Sequence, residues 1–484
     1  MATVTWNNDN STGVWNDADN WDTDSVPGSS DDVVFDDTST DNCTCDVAID
    51  IASLTVASSY SGKLDLGDSG YSHAVSGDIT LDGSGEFDMG DATLTCSGNV
   101  DFMDIGTLTR GTSELVQDGT SKWYKTRYNK DINKWTIAGT ITLHSDTQLY
   151  ADTWGVATIN EGATLTLNDK LQVHGLVING TLIYASGNGV GSSGAGVTIN
   201  GTLNLSGGTL SLNNESNMTC GESSSVTIGH LTTGFNTKIG GGNEWTVGTA
   251  DISVNYNDSR SATIAGDIRF TGNVTITADN AGNTFTVDNS GNHNLTFEGD
   301  VSCAEDGGTL VWTKGTGGIT LSGGDDQDVD FLGLTVEDIE IDKDASADKV
   351  TLTGNVTTDS LTLTSGILEI DGNDLDVSGN FTMAAGTTVL DTDTNGSISI
   401  GGNLDINGTS GDGCTWTDAD IDTLTGTGDA DYCTVTDSNN SSGTTIDATD
   451  DCVDGSGNTG WDFGAPAADA MPMAVHHYKM AGGL

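Results

Sequence analysis

Asp391-Thr392-Asp393-Thr394-Asn395-Gly396 opens like a calcium-binding loop. Its first, third and fifth positions offer side-chain oxygens, and its glycine permits a sharp turn. The twelfth position falls on Gly402 rather than on a glutamate, so the phrase is not an EF-hand. The chain also lacks the regular G-G-x-G-x-D nonapeptides of calcium-binding β-rolls. No cofactor is expected, with a structural Ca2+ left open. Catalytic chemistry finds less support. A glycosidase needs two carboxylates at a set separation, but 71 acidic residues supply so many pairs that pairing is uninformative. A lyase needs a base beside acids or a metal, yet Lys238, Arg260 and Arg269 are the only basic residues between 171 and 313. The seven histidines (73, 144, 174, 230, 293, 476 and 477) form no H-x-x-x-H or H-E-x-x-H. No G-x-S-x-G elbow, phosphate-loop lysine or C-x-x-C pair occurs, so the sequence predicts no nucleophile elbow, nucleotide site or zinc site. No enzymatic activity is expected.

The other chemically distinctive stretch is 110–135. It holds Arg110, Lys122, Lys125, Arg127, Lys130 and Lys134, six of the chain's fifteen basic residues, interleaved with Trp123, Tyr124, Tyr128 and Trp135. Against a net charge of −56, such a patch suits docking to an acidic neighbour, including another copy of the chain. The candidate contact residues are Lys122, Trp123, Tyr124, Lys125, Arg127, Tyr128, Lys130 and Trp135, with Tyr478 in the C-terminal tail. The alternative is local charge compensation. Basic and aromatic residues together also suit single-stranded nucleic acid, but the surrounding negative charge argues against that partner and against an anionic membrane.

These residues sit in a repeating chain. Ile-Ala-Gly-Thr-Ile at 137–141 is answered by Ile-Asn-Gly-Thr-Leu at 178–182 and again at 199–203, and 158–165 carries the same phrase with two residues added, Glu161 and Ala163. Ser76-Gly77-Asp78-Ile79 returns 21 residues later as Ser97-Gly98-Asn99-Val100. Gly-Asn-apolar recurs at 354–356, 379–381 and 402–404. Within each period the apolar residues alternate, as in Val197, Ile199, Leu203, Leu205, Leu210 and Leu212. A period of about 20–25 residues with strand alternation predicts a solenoid of stacked coils. The fold class is therefore all-β, a single-stranded parallel β-helix (β-solenoid) with capped ends. If some 400 residues keep the beat, there are roughly 16–20 coils in a rod roughly 80–100 Å long. The three prolines lie at 27, 466 and 472, which leaves the interval free for an unbroken hydrogen-bond ladder.

Eight cysteines do not resemble a small disulfide scaffold. Cys414, Cys433 and Cys452, spaced by 19 and 19, could be bridged across coils, but stacking as small apolar residues accounts for them without a bond. The first residues carry neither a basic nor an apolar signal region, and no apolar run reaches membrane-spanning length. Cytosolic synthesis without membrane insertion is the expectation.

The ends carry further patterns. Trp6, Trp15, Asn20-Trp21, Val26-Pro27-Gly28 and Asp31-Asp32-Val33-Val34-Phe35 resemble the "W…NW…vPg..DdVvf" opening of β-helices in bacterial surface proteins and phage virion proteins. Its tryptophans are expected to cover the open first coil; sugar stacking on exposed rings is the alternative. Residues 319–324, 331–336, 350–356 and 361–368 resemble the core phrase of bacterial and phage right-handed parallel β-helix (pectin-lyase-like) proteins. Residues 432–438, 445–448 and 454–463 resemble the "Y.nv.dS…tidA…dgGnNtgW.F" ending of such proteins, with Trp461 and Phe463 as the closing cap. The chain thus divides into a capping region 1–45, a solenoid 46–310 from which 110–135 is expected to leave as an inserted loop or embellished coil, a continuation and C-terminal cap 311–464, and a tail 465–484. The resemblance implies a virion structural protein, a tailed-phage surface fibre, spike or capsid-decoration protein made in the host cytoplasm and serving particle stability or host attachment. Its implied partners are other virion proteins, further copies of itself (a trimer included) and a host surface glycan. A bacterial or archaeal cell-surface adhesin or extracellular filament subunit is the alternative, and a β-helix polysaccharide-degrading enzyme the second.

Overall fold

Short alternating segments separated by glycine and Asx turns cannot bury an apolar face alone, and they solve this by stacking. The computed structural model describes residues 2–126, 132–144, 156–168, 171–184, 190–212, 218–220, 224–233, 237–240, 244–254, 259–279, 281–393 and 396–464. Apart from the 3-10 turn Ala18–Asn20, every regular element described is a β-strand. One parallel ladder starts at Thr3–Thr5, passes through Asp32–Phe35, Ser53–Val56, Ile79–Leu81 and Val100–Asp101, and ends at Trp461–Asp462. Further parallel ladders build the other faces, one of them through Cys43–Thr44, Lys63–Asp65, Glu86–Asp88 and Thr107–Thr109. The chain is a β-solenoid with its core along the axis.

The repeated phrases mark what stacks on what. Ile137, Ile159, Ile178 and Ile199 pair in register on successive coils, as do Ile141, Leu165, Leu182 and Leu203. All eight are buried. Burying such a side chain contributes about 1.5–3 kcal/mol, and each column repeats that gain from coil to coil.

The Gly-Asx beat has its own cause. At one corner the Asx side chain accepts a main-chain N–H from the next coil: Asp78 Oδ1 from Asn99 at 2.8 Å, Asn99 Oδ1 from Trp123 at 3.1 Å, Asn380 Oδ1 from Asn403 at 2.9 Å and Asn403 Oδ1 from Thr427 at 3.0 Å. The ladder turns away at this corner, and the side chains satisfy N–H groups that it leaves. The preceding glycine is required by close approach. A Cβ on Gly98 would lie 2.1 Å from the Gly77 carbonyl carbon, and one on Gly402 2.6 Å from that of Gly379.

At the first coil Trp6, Trp15, Trp21 and Phe35 are buried together, with Trp6–Trp21 and Trp15–Trp21 ring centroids 5.1 and 4.7 Å apart. Their burial removes them as exposed sugar platforms. At the other end Trp461 packs 5.9 Å from Trp416, and Phe463 lies half-buried against the core. The seven cysteines whose side chains are described are free thiols, and Cys414 and Cys433 stack in register without a bond.

The described part of 110–135 does not leave the stack. Glu114–Gln117 pairs with the strands before and after it, Thr93–Cys96 and Lys134–Ile137, and Thr120–Lys125 pairs with Val100–Asp101 and Thr140–Leu143. Among the described residues of this stretch the ladder carries a register shift between Thr120 and Lys122. The tail 465–484 lies outside the described residues.

Candidate functional site

Strand Thr120–Lys125 positions the basic-aromatic candidates, and alternation sends its neighbours to opposite faces. Tyr124 points inward, fully buried, its ring 4.6 Å from Trp135 and 6.2 Å from Phe102. Trp135 is also in the core and donates its indole N–H to Gln117 Oε1 at 3.1 Å. Gln117, itself buried, donates back to the Trp123 carbonyl at 3.4 Å. The expectation that Tyr124 and Trp135 form a contact surface is therefore corrected: they fill the coil interior beneath it.

Trp123 and Lys125 face outward and are half-buried. The Trp123 ring lies 5.4 Å from His144 on the next coil. The Lys125 ammonium sits 3.4 Å from the carboxylate of Asp101, its in-register partner on the preceding coil. Lys134 meets Glu114 in the same way at 2.9 Å. Lys122, at the register shift, lays its stem against Gly119. Two lysines of the patch are thus compensated across coils, and among the described residues its outward aromatic is Trp123. Arg127, Tyr128, Lys130 and Tyr478 lie outside the described residues.

The acidic residues are organised by the same register. Asp405, Asp429, Asp447 and Asp462 pair on four successive coils, about 4.8 Å apart at parallel spacing. Partial desolvation, then the charges of Asp431, Asp447, Asp405 and Asp450, raise the pKa of the Asp429 carboxyl from its ordinary value. Such a column attracts cations. Sequence reasoning missed it, although each aspartate alternates with buried residues: Leu404 and Ile406, Ala430, Ile446 and Ala448.

Several polar groups lie inside the coils. Glu337, 1% exposed, accepts from Asn289 Nδ2 at 2.8 Å and the Gly315 N–H at 3.1 Å through Oε1, and from the Trp312 indole at 2.8 Å through Oε2. His73 accepts the Ile49 N–H at Nδ1 (3.2 Å) and faces the Leu66 carbonyl with Nε2 (2.9 Å); burial lowers its pKa. Lys343, 2% exposed, donates to the Ser322 carbonyl at 2.7 Å, and burial lowers its pKa against the pull of Asp348 and Asp344. His73 and Lys343 each tie one coil to its neighbour, and Glu337 ties its own coil to two others.

In the calcium-loop phrase, Asp391 is buried and its Oδ1 accepts the N–H groups of Gly372 (2.8 Å) and Asp393 (3.1 Å). Thr394 and Asn395 lie outside the described residues. Gly402 packs at the glycine corner against Gly379. Among the described residues no group of three His, Cys, Asp or Glu side chains converges as a metal site. A groove of about 610 Å³ on one face is lined by Asp267, Asn294, Thr320, Glu340, Ser360 and Thr362. Its carboxylates and hydroxyls can hydrogen-bond a polyol. No helix among the described residues is long and apolar enough to cross a membrane.

Comparison of the chain with protein-family models, curated proteins and solved structures finds no match.

Proposed function

We propose that the chain is a structural protein of a virion surface, a fibre, spike or capsid-decoration protein of a tailed phage. The observation that carries this reading is the single parallel ladder from Thr3 to Asp462 with aromatic clusters at both ends. A stack bonded coil to coil along its whole length is suited to holding an attachment end away from a docking end. The opening and closing phrases resemble those of phage and bacterial surface β-helices, which adds support. A net charge of −56 keeps unassembled copies apart until a partner or cations offset it.

In this reading Trp123 and Lys125 form part of the docking surface. Lys125 exchanges Asp101 for an acidic group on a neighbouring virion protein or a second copy, and oligomerisation, as a trimer or otherwise, follows from such contacts. A host surface glycan is the ligand proposed for the groove at Asp267, Asn294, Thr320, Glu340, Ser360 and Thr362, whose hydroxyls and carboxylates offer hydrogen bonds. Cryo-electron microscopy of particles from a culture carrying the gene tests the proposal. Symmetric rods on a capsid or tail are expected. Cell-attached filaments would replace it with the adhesin reading. A free soluble monomer would reject both and make a glycan-cleavage screen the deciding assay.

A further inference from the structure

We propose that the turn at Asp391 binds one calcium ion through the Asp391 carboxylate and the Asn373 main-chain carbonyl. Two independent observations lead there. The first is the ligand spacing of the phrase 391–396, with oxygens at alternate positions before a glycine. The second is an imbalance inside the turn. Asp391 is 3% exposed, and while Oδ1 accepts two N–H groups, Oδ2 is buried with no hydrogen-bond partner. A buried carboxylate oxygen without a donor is unfavourable unless a cation meets it.

The surroundings supply negative charge and little to offset it. Glu369, Asp371 and Asp393 lie on the same corner, tied to it through Thr392, which donates to Glu369 at 2.6 Å and Asp371 at 3.1 Å, and through the Asp393 N–H. Lys349 on the adjoining strand is already paired with Glu369. The shape is provided by Gly396. A Cβ there would lie 2.7 Å from the Asn373 carbonyl oxygen and 3.0 Å from Asp391 Oδ2. Both oxygens therefore border the space a side chain would fill. Hard oxygen ligands in a flexible, partly main-chain arrangement suit Ca2+, whereas Mg2+ demands a near-ideal octahedron and gives up water reluctantly. One carboxylate and one carbonyl are too few for a full shell, so water completes it, consistent with the absence of a three-side-chain metal cluster among the described residues. The ion would pin Asp391 and Gly396 to Asn373 one coil before them. This holds whether or not the rod belongs to a virion.

The test uses the full chain. Isothermal titration with CaCl2 at fixed ionic strength is expected to show one saturable site of Kd about 10⁻⁴–10⁻³ M, above the diffuse binding any acidic surface gives, and MgCl2 should not fill it. Hydrogen exchange of the wild type in calcium against EDTA should show added protection confined to 370–374 and 390–397. D391N should lose both responses while melting in EDTA at or above the wild-type temperature, because it removes a buried charge. The proposal is overturned if wild-type exchange at those two turns is the same with and without calcium, if magnesium acts equally, or if D391N keeps the site. The exchange measurement needs no variant, so a folding failure of D391N leaves a decision in hand.

Discussion

Replacing Glu337 tests whether buried polar groups, rather than apolar stacking alone, fix the coils to one another. Its carboxylate takes three donors from two other coils: the Asn289 amide, the Gly315 N–H and the Trp312 indole. Asn289 and Glu337 are 0% and 1% exposed, so water does not replace a lost acceptor easily. Each buried donor left unpaired costs about 1–3 kcal/mol. Glu337→Ala strands all three. Water entering the space recovers part of the loss, which leaves about 3–6 kcal/mol. Glu337→Gln keeps the shape and one accepting oxygen, but its new N–H₂ opposes at least one donor, for a loss of about 2–3 kcal/mol. Solenoid stability is a sum of nearest-neighbour terms, so the damage should be local. Hydrogen exchange by mass spectrometry reads it directly. Protection of Thr284–Asp288, Thr309–Thr313 and Asp338–Lys343 should fall about 30- to 150-fold in Glu337→Gln, at 1.4 kcal/mol per tenfold. Protection of Ser53–Val56 and Ile79–Leu81 should not change. Wild-type protection in Glu337→Ala, or a loss spread evenly along the rod, would refute the reasoning.

Other perturbations separate the remaining elements. His73 must stay neutral to accept the Ile49 N–H, and burial lowers its pKa; the unfolded chain then takes up the proton first. Stability from this group is present above about pH 6.5 and is lost as pH falls through the folded-state pKa, so between pH 7.5 and 5.5 the wild type should lose more melting temperature than His73→Gln. Gly98→Ala places a Cβ 2.1 Å from the Gly77 carbonyl carbon, whereas Gly411→Ala meets nothing within 4 Å; denaturant melts should show a loss of about 1–3 kcal/mol or more for the first and almost none for the second. Trp135→Ala empties a core position at a cost of about 3–5 kcal/mol, while the outward Trp123→Ala should leave the melt almost unchanged and, under the proposed virion function, weaken incorporation into particles. Asp429→Asn should raise stability at pH 7 and low salt by about 0.2–1 kcal/mol, with the gain vanishing as pH falls below the carboxylate range and the raised pKa ceases to matter.

The fold was legible because a parallel solenoid stacks like on like. Ile137, Ile159, Ile178 and Ile199 share a letter because they share a column, and the recurring Gly-Asn reports one corner where coils approach too closely for a Cβ. The facing of the aromatics was not legible. Tyr124 and Trp135 stand among lysines and so read as a contact surface, yet Ser121 adopts a φ of 57° and the register shifts there, after which Tyr124 lies in column with Val100 and Leu143. A one-residue shift exchanges the faces of a strand, and no composition signal records it. Glu337 was invisible for a related reason. It is one of 71 acids, and its partners Trp312 and Asn289 lie 25 and 48 residues away, distances that gain meaning only once coil lengths are known.

Register also explains how the chain carries so much negative charge. Stacking Asp405, Asp429, Asp447 and Asp462 places like charges about 4.8 Å apart, which is unfavourable at every step. The ladder tolerates this where lysine or arginine interposes, as Lys63 does between Asp65 and Asp88 and as Arg269 does with Glu298. With 15 basic residues against 71 acidic ones, most columns must draw their counter-charge from solution. The stability of the stack is therefore coupled to the cations around it: screening by monovalent salt should act on the exposed columns progressively as ionic strength rises, whereas a divalent ion held by the buried Asp391 carboxylate should act at one place and saturate. Thermal melts in NaCl and in CaCl2 at equal ionic strength separate the two contributions, and identical curves would leave only the screened surface.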